Sequence, residues 1–168
     1  MNANELPHLD VSDNPTGCCP RFDPGPWQGI ELHFRDKAFI RAETRSAMHV
    51  PLNMGKVFSR VFEHMEQAGA IDEDNIIVLS EDVSPWKAVH HFASDKPVEG
   101  EEMETLSGDF ETRVFEGSFR EAKDWYQELK SVSVEHGKPD GRVYFWYTTC
   151  PKCAKAYGKN YVVGLAEI

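Results

Sequence analysis

Residues 38–50, AFIRAETRSAMHV, alternate from one end to the other. Ala38, Ile40, Ala42, Thr44, Ser46, Met48 and Val50 fall on one side, and Arg41, Glu43, Arg45 and His49 on the other. A period of two predicts a strand with one buried face. Pro51 ends it, because proline has no amide hydrogen to give to a ladder. The period then changes. In residues 56–68, KVFSRVFEHMEQA, the apolar side chains of Val57, Phe58, Val61, Phe62, Met65 and Ala68 make one stripe. Arg60, Glu63, Glu66 and Gln67 stand opposite, which is the pattern of an amphipathic helix. Gly69 suits the left-handed position that closes such a helix. Ile76–Ser80 and Trp86–Ala93 follow as two strands of a hairpin that turns around Ser84-Pro85.

The second half repeats this order. Asp109–Glu116 alternates, with Phe110, Thr112 and Val114 on one face. Ser118, with Glu121 three residues on, makes a capping box for a helix carrying Phe119, Ala122, Trp125, Tyr126, Leu129 and Val132. Gly137 closes that helix as Gly69 closed the first. Val143–Tyr147 and Tyr161–Ile168 supply two more strands. The first is apolar or aromatic at every position, which predicts burial on both faces. Repetition of a fixed order sets the fold. The expectation is an α+β domain of two duplicated strand-helix-strand-strand halves, about 37–94 and 106–168, within a single domain over 28–168. Its mostly antiparallel sheet carries two helices on one face. Residues 1–27, with five of the ten prolines, predict an extended N-terminal segment, flexible at first and packed on the body from Cys18 to Trp27. Lys96–Glu104 predicts an exposed linker, with Glu99, Glu101, Glu102 and Glu104 as a solvated face.

Composition narrows the function classes. The 168 residues carry a formal net charge of -10, which argues against nucleic acid and against anionic membrane as partners. No stretch approaches the roughly 20 apolar residues that span a bilayer. The N-terminus has neither a basic start nor an apolar run, so a cytoplasmic chain is expected, with its four cysteines reduced or metal-bound.

Gly108-Asp109-Phe110, Val114-Phe115-Glu116-Gly117-Ser118-Phe119 and the helix through Trp125-Tyr126 resemble the gyrase-inhibitor-like (GyrI-like) small-molecule-binding family. That resemblance implies an aromatic-lined cleft between the halves, often with a buried carboxylate. Members sense drugs, bind partner proteins or hydrolyse small electrophilic compounds. Four other segments are similar to a group of uncharacterised bacterial proteins, some called hydrolases. They are Cys18–Asp23, Pro51–Gly55, Ser84–Lys87 and the C-terminal stretch CPKCAKAYGKNYVVG.

Three chemistries are open. Glu116 ends the apolar face of its strand, where a desolvated carboxylate would serve as a general base or as a counter-charge, or would simply be exposed at the turn. Trp86, Trp125, Tyr126, Tyr147 and Tyr161 are candidate walls for a small hydrophobic or aromatic ligand, against the alternative of core packing. Cys150-Pro151-Lys152-Cys153 has the spacing of a zinc knuckle, and Cys18 with Cys19 could complete four metal ligands, with His8, His33 or His49 as substitutes. The same pair also fits a redox thiol or plain reduced cysteines. His90 and His91 point to opposite faces of their strand and cannot share a ligand. The leading expectation is a stand-alone small-molecule-binding protein that requires no cofactor. The alternatives are a small hydrolase, with Glu116 activating water and Tyr147 or Tyr161 polarising the leaving group, and a zinc-binding or thiol-redox protein.

Overall fold

The computed structural model describes residues 1–168 and shows a sheet closed on itself. The long strands are β1 (Glu31–Ala47), β3 (Val78–Ser84), β4 (Lys87–Ala93), β5 (Glu102–Glu116), β6 (Val143–Tyr147) and β7 (Tyr161–Glu167), and the short β2 (Val50–Pro51) extends one edge. Their order is β2-β1-β4-β3-β6-β7-β5, and β5 pairs again with β1. Every pairing is antiparallel. Six strands therefore make a barrel, which removes the exposed edges of an open sheet. The expected mostly antiparallel sheet is present, and its closure into a barrel is a feature that the sequence reading did not describe. The second sheet face needs no separate cover, because it is the inside of the barrel.

Each half supplies strand, helix, strand and strand, and the likeness is one of element order. The first half adds β2, and the second adds a third helix. The helices are α1 (Met54–Gln67), α2 (Ala122–Glu135) and α3 (Pro151–Tyr157). Val57, Val61 and Met65 of α1 join the main core, and Phe58 packs edge-on against Phe92. On α2, Trp125, Leu129 and Val132 form a second core with Phe115, Phe145, Val162 and Ala166. Alternation along β7 explains the division. Val162 and Ala166 face α2, while Val163 and Leu165 face the barrel interior with Phe110, Tyr144 and Trp146. Gly164 lets α2 come close, since a Cβ there would lie 2.5 Å from a Leu129 methyl. No helix is long and apolar enough to cross a membrane.

Two segments depart from the sequence reading. The first strand begins at Glu31, because a bulge between Phe34 and Lys37 hides its early alternation. Asp36 takes a positive φ of 48° at that bulge. The N-terminal segment is also tied down from its start. Asn4 exchanges hydrogen bonds with the backbone of Arg35, and Leu6, Phe22 and Trp27 lie in the main core. Trp27 closes one end of the barrel, its ring 4.9 Å from that of Trp146 and its carbonyl accepting from the Thr112 hydroxyl.

Candidate metal centre

The connection from β6 to β7 carries the cysteine pair, and local chemistry shapes it. Cys150 caps α3, its sulfur accepting from the Cys153 amide at 3.4 Å, and Pro151 opens the helix, where its missing amide costs nothing. Gly158 ends the helix with φ 71°, turning the chain into β7. On the N-terminal side, the amide of Arg21 donates to the Asp13 carbonyl and closes a loop that brings Cys18 and Cys19 round. Tyr157 fastens this loop to α3, its hydroxyl donating to the Cys19 carbonyl at 2.5 Å. The Arg21 guanidinium covers the other side of the Tyr157 ring at 5.1 Å.

The result is a cluster of four free thiols, Cys18, Cys19, Cys150 and Cys153, whose sulfurs all lie within 4.8 Å of one another. The Cys150 amide donates to the Cys19 sulfur at 3.5 Å, and the Thr16 hydroxyl lies 3.2 Å from the Cys153 sulfur. The Thr16 contact, with help from Cys150 and Cys19, draws the Cys153 thiol down to about 7. Burial instead pushes the Cys19 thiol up. Cys153 is fully buried and Cys18 is exposed, so the cluster spans the depth from core to surface.

The aromatic candidates do not converge. Trp86 is 60% exposed at the β3–β4 turn, and Tyr126 lies on the outer side of α2. Trp125 is buried and stacks on Phe115 in the second core. Tyr147 packs edge-on against Phe119, and burial pushes its hydroxyl up to about 12. Only Tyr161 meets Glu116, as its register partner across β5 and β7. These two, with Pro24, Gly25, Gln28 and Val114, line a cavity of ≈ 270 Å³. The Glu116 side chain is 52% exposed and lies 3.7 Å from the Lys159 ammonium.

Sequence reasoning missed two carboxylates in the run assigned to a solvated face. Glu101 is buried and receives a two-pronged bond from Arg60, with His64 Nδ1 2.8 Å away. Glu104 lies on β5 and points inward, bonded to Nδ1 of His91. His90 and His91 do face opposite sides. His90 sits under Phe58 of α1, bonded to Thr44 and Ser80. His91 lies inside the barrel, with Nε2 3.4 Å from Glu81 and its ring edge-on to Tyr144. The alternation that sets His90 and His91 on opposite faces was the one signal in the sequence, and the register adds that His91 shares its face with Arg41 of β1.

A family model described as "Bacterial hydrolase" matches residues 9–168. No curated protein matches the chain. The expected gyrase-inhibitor-like membership is corrected by this match. Its carrying residues meet needs that many folds share. Gly117, at φ 150°, admits the Glu121 carboxylate of the capping box, and Gly108 lies against the Arg142 guanidinium.

Proposed function

The chain belongs to the bacterial hydrolase family, and from that premise we propose a hydrolase of small molecules whose barrel is clasped by zinc bound to Cys18, Cys19, Cys150 and Cys153. The carrying observation is the four-thiol cluster. Four thiolates about 2.3 Å from one zinc lie about 3.8 Å apart in a tetrahedron. The Cys18 and Cys19 sulfurs already stand 3.7 Å apart. The other pairs reach that spacing by contractions of about 1 Å at most. Amide donors to two of the sulfurs are the outer-shell partners that hold metal thiolates in place.

A ligand set of four thiolates leaves no open position for water, so the zinc is structural and hydrolysis takes place elsewhere. Its mechanical role follows from connectivity, because it joins the N-terminal segment to the β6–β7 connection. The redox alternative is less well supported. A reactive thiol needs a low pKa and exposure together, whereas the thiol drawn down to about 7 is the buried Cys153.

Native mass spectrometry of protein purified without chelator tests the clasp, with Cys18→Ser and Cys153→Ser alongside. The expected result is a mass excess of one zinc in the wild type that both variants lose. An apo mass for folded wild type overturns the clasp. The small-molecule-binding reading keeps one place to act, the cavity where Glu116 and Tyr161 meet.

A further inference from the structure

The barrel end remote from Trp27 holds charge where a core normally holds none. His91 is 5% exposed, yet it has a carboxylate at each ring nitrogen, Glu104 from β5 and Glu81 from β3. Tyr144 from β6 lies against the same ring, at 5.6 Å between centroids, and burial pushes its hydroxyl up to about 12. Arg41 from β1 is the register partner of His91 and bonds Glu43, with Glu102 3.9 Å away. Solvent reaches this end through the carboxylates, since the Glu81 and Glu104 side chains are 35% and 23% exposed.

Such a group is poorly explained as a stabilising device. Bringing ions out of water costs several kcal/mol each, and a buried pair commonly breaks even against apolar packing. It is well suited to proton transfer, because a screened site strengthens every electrostatic contact within it.

We propose that this end of the barrel is the hydrolytic centre, acting on a small carboxylic ester that carries no negative charge. The proposal rests on the hydrolase reading above. Glu81, the more exposed carboxylate, takes a proton from water as the water oxygen bonds to the ester carbonyl carbon. His91, oriented by Glu104, gives its proton to the alkoxide oxygen as the carbon–oxygen bond breaks. The proton on Glu81 then returns to His91, so the products are one carboxylic acid and one alcohol. Tyr144, whose ring packs edge-on against His91, is a side chain at this end with a hydroxyl to donate to the developing oxyanion. Four glutamates, at positions 43, 81, 102 and 104, outnumber the two cations Arg41 and Lys87 at this mouth, and they disfavour an anionic substrate.

Two other places fit this chemistry less well. The cysteine cluster presents thiols alone. Glu116 is half-exposed and lies 3.7 Å from the Lys159 ammonium at a surface cavity.

Release of p-nitrophenol from p-nitrophenyl acetate and butyrate tests the proposal on the full chain, purified without chelator. Wild type, Glu81→Gln, His91→Gln and Glu63→Gln are compared, with thermal melting as a check on folding. Glu81→Gln is expected to lower kcat roughly 10²–10⁴-fold, the usual contribution of a general base, and His91→Gln less, because p-nitrophenolate leaves without needing a proton. Glu63→Gln, an exposed position on α1, is expected to stay within about threefold of wild type. Wild type is expected to show a bell-shaped pH profile whose shape changes in Glu81→Gln, an effect that a merely structural role would not produce. If His91→Gln fails to fold, the partly exposed Glu81→Gln carries the test. Active wild type with Glu81→Gln unimpaired overturns the proposal and leaves the hydrolase reading standing. A wild type that cleaves neither ester overturns both.

Discussion

At one end of the barrel Phe22, Trp27, Trp146 and Tyr161 fill the interior with rings; at the other His91 stands between Glu104 and Glu81. One closed sheet carries both ends, so the strands do not dictate the difference. Side chains at equivalent inward positions do. The aromatic end gains from burying apolar area, and the N-terminal segment makes it possible by laying Phe22 and Trp27 across the opening. The charged end gives up apolar area to keep an imidazole among carboxylates. The first end holds the barrel together, and the second gives it a proton carrier.

The sharpest way to break this division is to empty the aromatic end. Trp27→Ala removes a side chain that is 1% exposed. The expected loss is about 3–5 kcal/mol, by the usual cost of truncating a buried aromatic. For a chain of this length that is a fall in Tm of roughly 10 °C, readable by calorimetry. Ester hydrolysis below the new Tm should survive, because the proton-transfer groups lie at the other end. A variant that keeps its Tm would show that Trp27 does not plug the barrel.

The two adjacent histidines sharpen the comparison next, since their pH effects have opposite signs. Burial, and then the neighbouring His91, hold His90 down at about 4, below its ordinary value of 6.5. Folded protein therefore resists protonation there while unfolded chain accepts it. Stability from His90 is complete above about pH 6.5 and is lost as pH falls toward about 4, by roughly 3 kcal/mol. Burial also works against charge on His91, but the bonds to Glu81 and Glu104 outweigh it and raise its pKa. Its contribution is present at acid pH and is lost as pH rises through the raised value. Arg41, Tyr144, Glu81 and Glu104 are the charged or titratable groups around it. Urea midpoints from about pH 4.5 to about pH 9 should decline on both sides. His90→Asn should remove the acid decline alone, and His91→Gln should remove the alkaline one and, by taking away its charge, soften the acid one. A shared response would mean that the two rings do not sit on opposite faces.

The legible parts of the molecule were those with local causes. Alternation in residues 38–50 and the stripe on 56–68 report their own burial, and Gly69 and Gly137 take the positive φ that helix ends require. The cysteine spacing was visible, and so was the pairing of Cys18 and Cys19 with Cys150 and Cys153. Barrel closure was not, because the β1–β5 pairing joins residues 61 to 80 positions apart and leaves no periodic mark. Glu104 was unreadable for a related reason. It lies in a run of glutamates, and only the closed sheet brings it to His91. Asp36 hid the start of β1, since one bulged residue reverses the apparent face of everything before it.

The smallest expected effect separates the cavity beside the plug from the charged end. Glu116→Gln removes one exposed charge and its contact with Lys159, and such a pair is worth about 0–1 kcal/mol. The Tm should therefore move by no more than about 4 °C. If the cavity where Glu116 meets Tyr161 binds a small molecule, the same substitution should weaken that binding and leave ester turnover alone. Intrinsic tryptophan fluorescence offers a direct readout, because Trp27 and Trp146 pack beside Phe22, which touches Tyr161. A substrate ester that perturbs this fluorescence in wild type but not in Glu116→Gln would place substrate at the aromatic end. The division of labour between the two ends would then have to be redrawn.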